Sequence, residues 1–256
     1  MIAVLSATEH DYYAMPLPLV VYSWNKIGVK CIVFIPSGHN PKIELAKKYC
    51  NGNTFYEFDC EEKRIATYSQ VSRLFGACTS NQDDEIYITG DSDLAVFGNY
   101  YDELNDGNIH VVGADLTPRD QYPMCFICMP SNKWKKILNI SKGYQEHISE
   151  LIDPIEGINI RGEQWCYDQW YIKKMIDTSG EKIMIHNRSN GINQVATKRA
   201  DRDGWYFDPH DIIDAHLPRP LTDNSNFYKV YDLFKIKYPN DNLGWIVEYR
   251  NQYLKL

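Results

Sequence analysis

What most limits the folds open to this chain is a rhythm in its first 90 residues. Short apolar, β-branched runs recur there, each followed by a turn signal and then by apolar residues at helical spacing. Ile2 to Leu5 is the first run, ending in the small residues Ser6, Ala7 and Thr8. Pro16 and Pro18 then open a helix reaching about Lys26, with Leu17, Val20, Val21 and Trp24 on one face. Cys31 to Ile35 is the second run, closed by Pro36, Ser37 and Gly38, and a helix follows over Pro41 to Cys50. A third strand over Thr54 to Phe58 precedes a helix over Glu61 to Ala77. The fourth, Glu85 to Thr89, runs straight into Gly90-Asp91-Ser92-Asp93. Repeated strand–helix units predict an α/β fold, a mostly parallel, doubly wound sheet with its ligands at the carboxyl ends of the strands.

The second half changes rhythm. Asn108 to Val112 and Pro123 to Met129 read as strands, with Ser131 capping a helix to about Ile140 and another helix over Gly162 to Ile176. Ile183 to Asp214 is polar and irregular, whereas Asn224 to Ile236 and Leu243 to Leu256 read as amphipathic helices. With no repeat, low-complexity tract or linker, one domain over 1–256 is expected.

Asp91 and Asp93 stand two apart in extended backbone, so their carboxylates project to one side. Adjacent carboxylates repel unless a cation lies between them. Hard oxygen ligands suit Mg²⁺ or Mn²⁺, which in turn grip phosphate oxygens. An Asp-Ser-Asp that merely caps a turn is the alternative, but its place at the end of a buried strand favours the metal. His216 lies between Asp211, Asp214 and Arg219 in a loop fixed by two prolines, and a neutral imidazole would favour Mn²⁺. Glu163 falls in the first turn of its helix, where the macrodipole stabilises a carboxylate whether or not it reacts. Asp168, five residues on, points about 140° away from it. Tyr12 and Tyr13 are placed either to stack on a base or to pack the helix entry.

Ile86 to Asp93 (Ile-Tyr-Ile-Thr-Gly-Asp-Ser-Asp) resembles the strand and D-x-D motif of glycosyltransferases with the GT-A fold. Further segments resemble parts of those enzymes, in the same order. Ile2 to Thr8 is similar to their first strand, which implies that Ser6, Ala7 and Thr8 contact the nucleotide. Met124 to Trp134 looks like the strand-to-helix segment that walls the acceptor side, and Gly162-Glu163-Gln164 like the acidic helix start that faces the reacting sugar. Asp214 to Pro220 resembles the late loop whose histidine completes the metal shell. The resemblance implies that Asp91, Asp93 and His216 hold Mn²⁺ or Mg²⁺, and that Arg73 and Ser92 join Asp91 and Asp93 in binding the nucleotide sugar. It places Glu163 near the anomeric carbon and Asp168 on the acceptor. The implied partners are a nucleotide-sugar donor, a UDP-sugar first, and a glycan or other hydroxyl acceptor. The parts are then a nucleotide-binding half (1–115), a half that closes the acceptor side and the metal (116–222), and C-terminal helices (223–256). Gly90 before the motif and the short polar tail of the first strand depart from the commonest pattern.

Gly90-Asp91-Ser92-Asp93-Leu94 also resembles a segment of flap-endonuclease and PIN-type nucleases. Those need further carboxylates for two metals, one at the end of the first strand, where this chain has Ser6-Ala7-Thr8. The net charge of −7 argues against nucleic acid as a partner. A non-catalytic sugar- or nucleotide-binding module is the third reading. No apolar stretch approaches the length of a membrane helix. The odd count of seven cysteines, with no signal peptide before them, points to reduced thiols in a cytoplasm. Cys125 and Cys128, a lone C-x-x-C in an apolar run, read as buried strand thiols rather than a zinc site.

Overall fold

A computed structural model describes residues 1–36, 40–98, 100–153, 166–188 and 198–256. The first half runs β1 (Ile2–Ser6), α1 (Asp11–Ala14), α2 (Leu17–Lys26), β2 (Lys30–Pro36), α3 (Pro41–Tyr49), β3 (Thr54–Phe58), α4 (Ile65–Ser72), β4 (Ile86–Thr89), β5 (Leu94–Val96) and β6 (Ile109–Val112). It continues with β7 (Ile127–Pro130), α5 (Ser131–Ile137), α6 (Tyr144–Ile152), α7 (Tyr167–Thr178), β8 (Ile183–His186), β9 (Arg199–Ala200), β10 (Asp214–His216), α8 (Asn224–Lys237) and α9 (Gly244–Tyr253).

Seven strands form the central sheet in the order β3-β2-β1-β4-β7-β6-β8. The pairings β2–β3, β1–β2, β1–β4 and β6–β8 are parallel, and only β7 opposes its neighbours. This is the mostly parallel α/β sheet that the strand–helix rhythm predicts. Side chains of β1 alternate between two cores: Ala3 and Leu5 pack with Trp24 and Val20 of α2, while Val4 packs with Val71, Leu74 and Phe75. A Cβ on Gly76 would lie 2.5 Å from Val4 Cγ2, so only glycine lets this segment approach the sheet so closely.

Three local expectations need correction. The helix expected over Glu61 to Ala77 breaks into a 3-10 turn at Glu62–Arg64, α4, and a second 3-10 stretch over Arg73–Thr79 that seats Gly76 against the sheet. Pro130, not Ser131, occupies the cap position of α5, and Ser131 is its first helical residue. Helix α7 begins at Tyr167; residues 162–165, where the sequence suggested its start, lie outside the described residues. The C-terminal helices join the core directly. Phe227, Phe234, Ile246 and Tyr249 belong to the same buried cluster as Leu5, and the Tyr249 hydroxyl donates to the Ala14 carbonyl at 3.1 Å. No described helix is long and apolar enough to cross a membrane.

A second, small sheet, β5-β10-β9, sits just beyond the end of β4. Antiparallel pairing of β5 with β10 sets His216 opposite Leu94, and the Leu217 N–H donates to the Asp93 carbonyl at 2.9 Å. Parallel pairing of β10 with β9 puts Arg199 beside Asp214. Residues 125 apart in sequence are thereby brought to the same edge.

Candidate active site

The chain turns at Gly90 because nothing larger fits: a Cβ there would lie 2.8 Å from Leu5 Cδ2, against Trp24. Past that turn, Asp91, Ser92 and Asp93 line a cavity of about 250 Å³ at the carboxyl ends of β1 and β4. Ser6 at the end of β1 and Thr8 just beyond it line the cavity, whereas Ala7 between them is fully buried. The Ser6 and Ser69 hydroxyls, 2.5 Å apart, tie the end of β1 to α4. Tyr13 closes one side, with the Arg219 guanidinium 4.8 Å from its ring centre; Tyr12 is more exposed. A second chamber of about 370 Å³ lies on the far side of Arg73, Asp91 and His216, lined by Val112, Leu116, Pro123, Met124 and Cys125.

Around these chambers four arginines meet four aspartates. Arg73 bridges two of them: Nη1 pairs with Asp91, and Nη2 lies 2.8 Å from Asp168 Oδ2. Asp93, 2% exposed, is held by Arg219 and by Arg202 Nη2 at 3.0 Å. Burial alone would raise the Asp91 carboxyl, but the Arg73 charge and His216 overturn that and hold it well below the usual carboxylate range. Asp168 goes the other way: burial raises its pKa, and Arg73 offsets that only in part.

His216 sits in the most contested corner. Its Nε2 is 3.4 Å from Asp91 Oδ2 and its Nδ1 is 3.7 Å from Asp201 Oδ1. Arg199 Nη2 lies against both ring nitrogens, 2.6 Å from Nε2, a placement that suits a neutral ring. Burial likewise opposes a charge on the ring, yet bonding to Asp201 and Asp91 outweighs both and lifts the His216 pKa to about 10. The two tendencies agree on one point: this corner draws positive charge, as a proton on His216 or as the Arg199 guanidinium. Asp91, Cys125 and His216 each offer a ligand atom within 4.8 Å of the others, the one such group among the described residues.

The fold thus brings Ser6, Thr8, Arg73, Asp91, Ser92, Asp93, Asp168 and His216 to one cavity. Ala7 is fully buried and does not line it, its N–H donating to the Phe34 carbonyl at 3.1 Å, and Glu163 lies outside the described residues. An acidic residue followed by glutamine does open α7, but it is Asp168-Gln169, and Gln169 lines both chambers. Cys128 is a buried strand thiol as expected; Cys125 is not, since it lines the second chamber just before β7. Arg199, Asp201 and Arg202 were missed. Their one signal is a cluster of charges, Arg-Ala-Asp-Arg, inside a stretch that reads as loop.

No family model matches the sequence, and no curated protein does. Solved structures match in fold. Galactosyltransferase LgtC, in complex with donor and acceptor sugar analogues, superposes with a TM-score of 0.50 at 12% identity, covering 91% of this chain and 95% of that one. An active-site mutant of LgtC gives 0.49 at 11% identity over the same shares. The glycosyltransferase GlyE of Streptococcus pneumoniae gives 0.36 at 15% identity, covering 69% of this chain and 51% of its own. The fold is the GT-A fold that the D-x-D resemblance implied.

Proposed function

We propose that the chain is a glycosyltransferase that moves a sugar from a nucleoside diphosphate donor, a UDP-sugar first among candidates, to a hydroxyl of a glycan or similar acceptor. The observation that carries this reading is the cavity at the ends of β1 and β4, where arginines suited to phosphate and the carboxylate and imidazole of Asp91 and His216 face one space. Ser6 and Thr8 offer hydroxyls to the nucleoside, and Tyr13 offers a ring face to the base. Arg202 and Arg219 can exchange Asp93 for diphosphate oxygens, trading one charge-assisted contact for another. Arg73 orients Asp91 and is itself fixed by Asp168, which at 1% exposure is a positioning group. Gln169 lines both chambers, which supports a role for its amide between donor sugar and acceptor hydroxyl.

The residues fit a divalent cation: ligand atoms of Asp91 and His216 converge, with Asp93 beside them once its arginines turn to phosphate. Mn²⁺ or Mg²⁺ there would supply positive charge to the departing diphosphate. The test is incubation with Mn²⁺ and a panel of nucleotide sugars, reading released nucleoside diphosphate by mass spectrometry. Release by wild type and its loss in Asp91→Asn, with the fold intact by circular dichroism, is the expected result. Tight nucleotide binding without release from any donor would leave a binding module, and nicking of flapped DNA would favour a nuclease.

A further inference from the structure

We propose that Cys125 is a ligand of the cation site, which makes it a carboxylate–imidazole–thiolate site that prefers zinc-class ions to Mg²⁺. The proposal deepens the transferase reading and rests on it for the role of the ion. Ligand atoms of Asp91, Cys125 and His216 lie within 4.8 Å of one another. A point no more than about 2.8 Å from all three therefore exists, and shifts of about 0.5 Å for the sulfur and up to about 0.8 Å for the nitrogen and oxygen reach zinc-ligand bond lengths.

The competition among ligands favours Cys125 over Asp93. Asp93 must release both Arg202 and Arg219 before it can join. The sulfur of Cys125 has no such ion pair to break among the described residues: its contacts are Arg199 Nη1 at 3.9 Å and the His216 ring, itself a ligand of the proposed site. The group an entering ion must displace is Arg199, which lies against the His216 ring. A second berth waits for it. Arg199 Nε and Asp214 Oδ1 are both buried without a hydrogen bond, and they stand 3.9 Å apart. A movement of about 1 Å would join them and satisfy two buried polar atoms, giving Arg199 a partner to turn to when an ion takes the imidazole. Leaving His216 thus gains Arg199 a bond that it lacks while it stays.

Three protein ligands with room for further oxygen ligands is the open arrangement of catalytic zinc. A thiolate among them selects zinc, cobalt or cadmium over Mg²⁺, which demands oxygen. In the transferase reading those open positions face the donor's diphosphate.

The test titrates the whole protein with Co²⁺ and reads the thiolate-to-cobalt charge-transfer band in the near ultraviolet. A band should appear with the first equivalent and vanish in Cys125→Ser. The same variant should weaken Zn²⁺ binding by at least about tenfold while leaving Mg²⁺ binding unchanged. Co²⁺ binding without the band, or an equal band in Cys125→Ser, overturns the proposal. Should that variant fail to fold, the wild type decides: Zn²⁺ should protect Cys125 from a maleimide, mapped by peptide mass spectrometry, and undiminished modification overturns the proposal. Release of nucleoside diphosphate from nucleotide sugars is measured separately. Turnover without the band removes Cys125 and keeps the transferase; the band without turnover keeps the thiolate site and removes the transferase.

Discussion

Arg73→Met tests the arginine that joins two carboxylates. The substitution keeps most of the apolar stem and removes the charge. Arg73 and Asp168 are almost wholly buried, at 8% and 1% exposure, and Nη2 lies 2.8 Å from Asp168 Oδ2. Without Arg73, Asp168 keeps, among the described residues, the bond from the Gln169 N–H at 2.9 Å. Breaking a buried pair on one side costs about 3–5 kcal/mol, because a buried charge is left uncompensated. At about 2–4 °C per kcal/mol for a chain of this size, Tm should fall by about 6–20 °C. Adding Asp168→Asn should restore much of the loss, since the wholly buried carboxylate is then neutral, while Asp91, 26% exposed, still has His216 beside it. The sign with pH follows. A carboxyl whose folded pKa is raised destabilises the fold when ionised and less so as it gains a proton, so the deficit of Arg73→Met should shrink on acidification. Thermal denaturation at several pH values measures all three effects. A loss below about 1 kcal/mol, or no recovery on adding Asp168→Asn, would refute the reasoning and place this pair among surface-like ion pairs worth little.

Gly76→Ala sets a methyl group 2.5 Å from Val4 Cγ2 and should cost about 1–3 kcal/mol in urea unfolding. His186 is depressed below its ordinary pKa of 6.5 by burial and by His110, whose Nδ1 lies 2.9 Å from His186 Nε2. The unfolded chain therefore binds more protons there, so stability should fall as pH drops below about 6.5, and His186→Gln should flatten that part of the profile. UDP at about a hundred times its Kd should stabilise the protein by about 2.7 kcal/mol when a divalent cation is present, and far less in EDTA. Equal shifts in the two conditions would contradict a cation-bridged diphosphate.

The parts of this molecule legible in advance are those written locally. The strand–helix rhythm to Thr89 needs only neighbours three and four residues apart, and β1 to β4 fall within a residue or two of their expected bounds. Asp91 and Asp93 were conspicuous because they sit where such a sheet ends. His216 stood out through its neighbours, yet what delivers it is a three-residue strand, β10, too short to carry a pattern. Pairings among Arg73, Arg199, Arg202, Arg219 and their aspartates leave no periodic trace, because electrostatic partners are chosen in three dimensions. Cys125 was hidden differently. It shares an apolar run with Cys128, but lies two residues before β7 begins, where the alternation that buries Cys128 has not yet set in.

The pairing of β5 with β10 has a consequence in time. Every strand from β1 to β4 can be laid down once the first third of the chain exists, since neighbours in that part of the sheet are supplied early. The cation corner cannot, for His216 arrives 125 residues after Asp91. At about 5–20 residues per second that interval is about 6–25 s of synthesis. Throughout it Asp91 has Arg73 beside it but no imidazole, and Asp93 lacks both Arg202 and Arg219. The corner that the proposed cation would occupy therefore closes late, in one step with the small sheet, when the architecture is nearly finished.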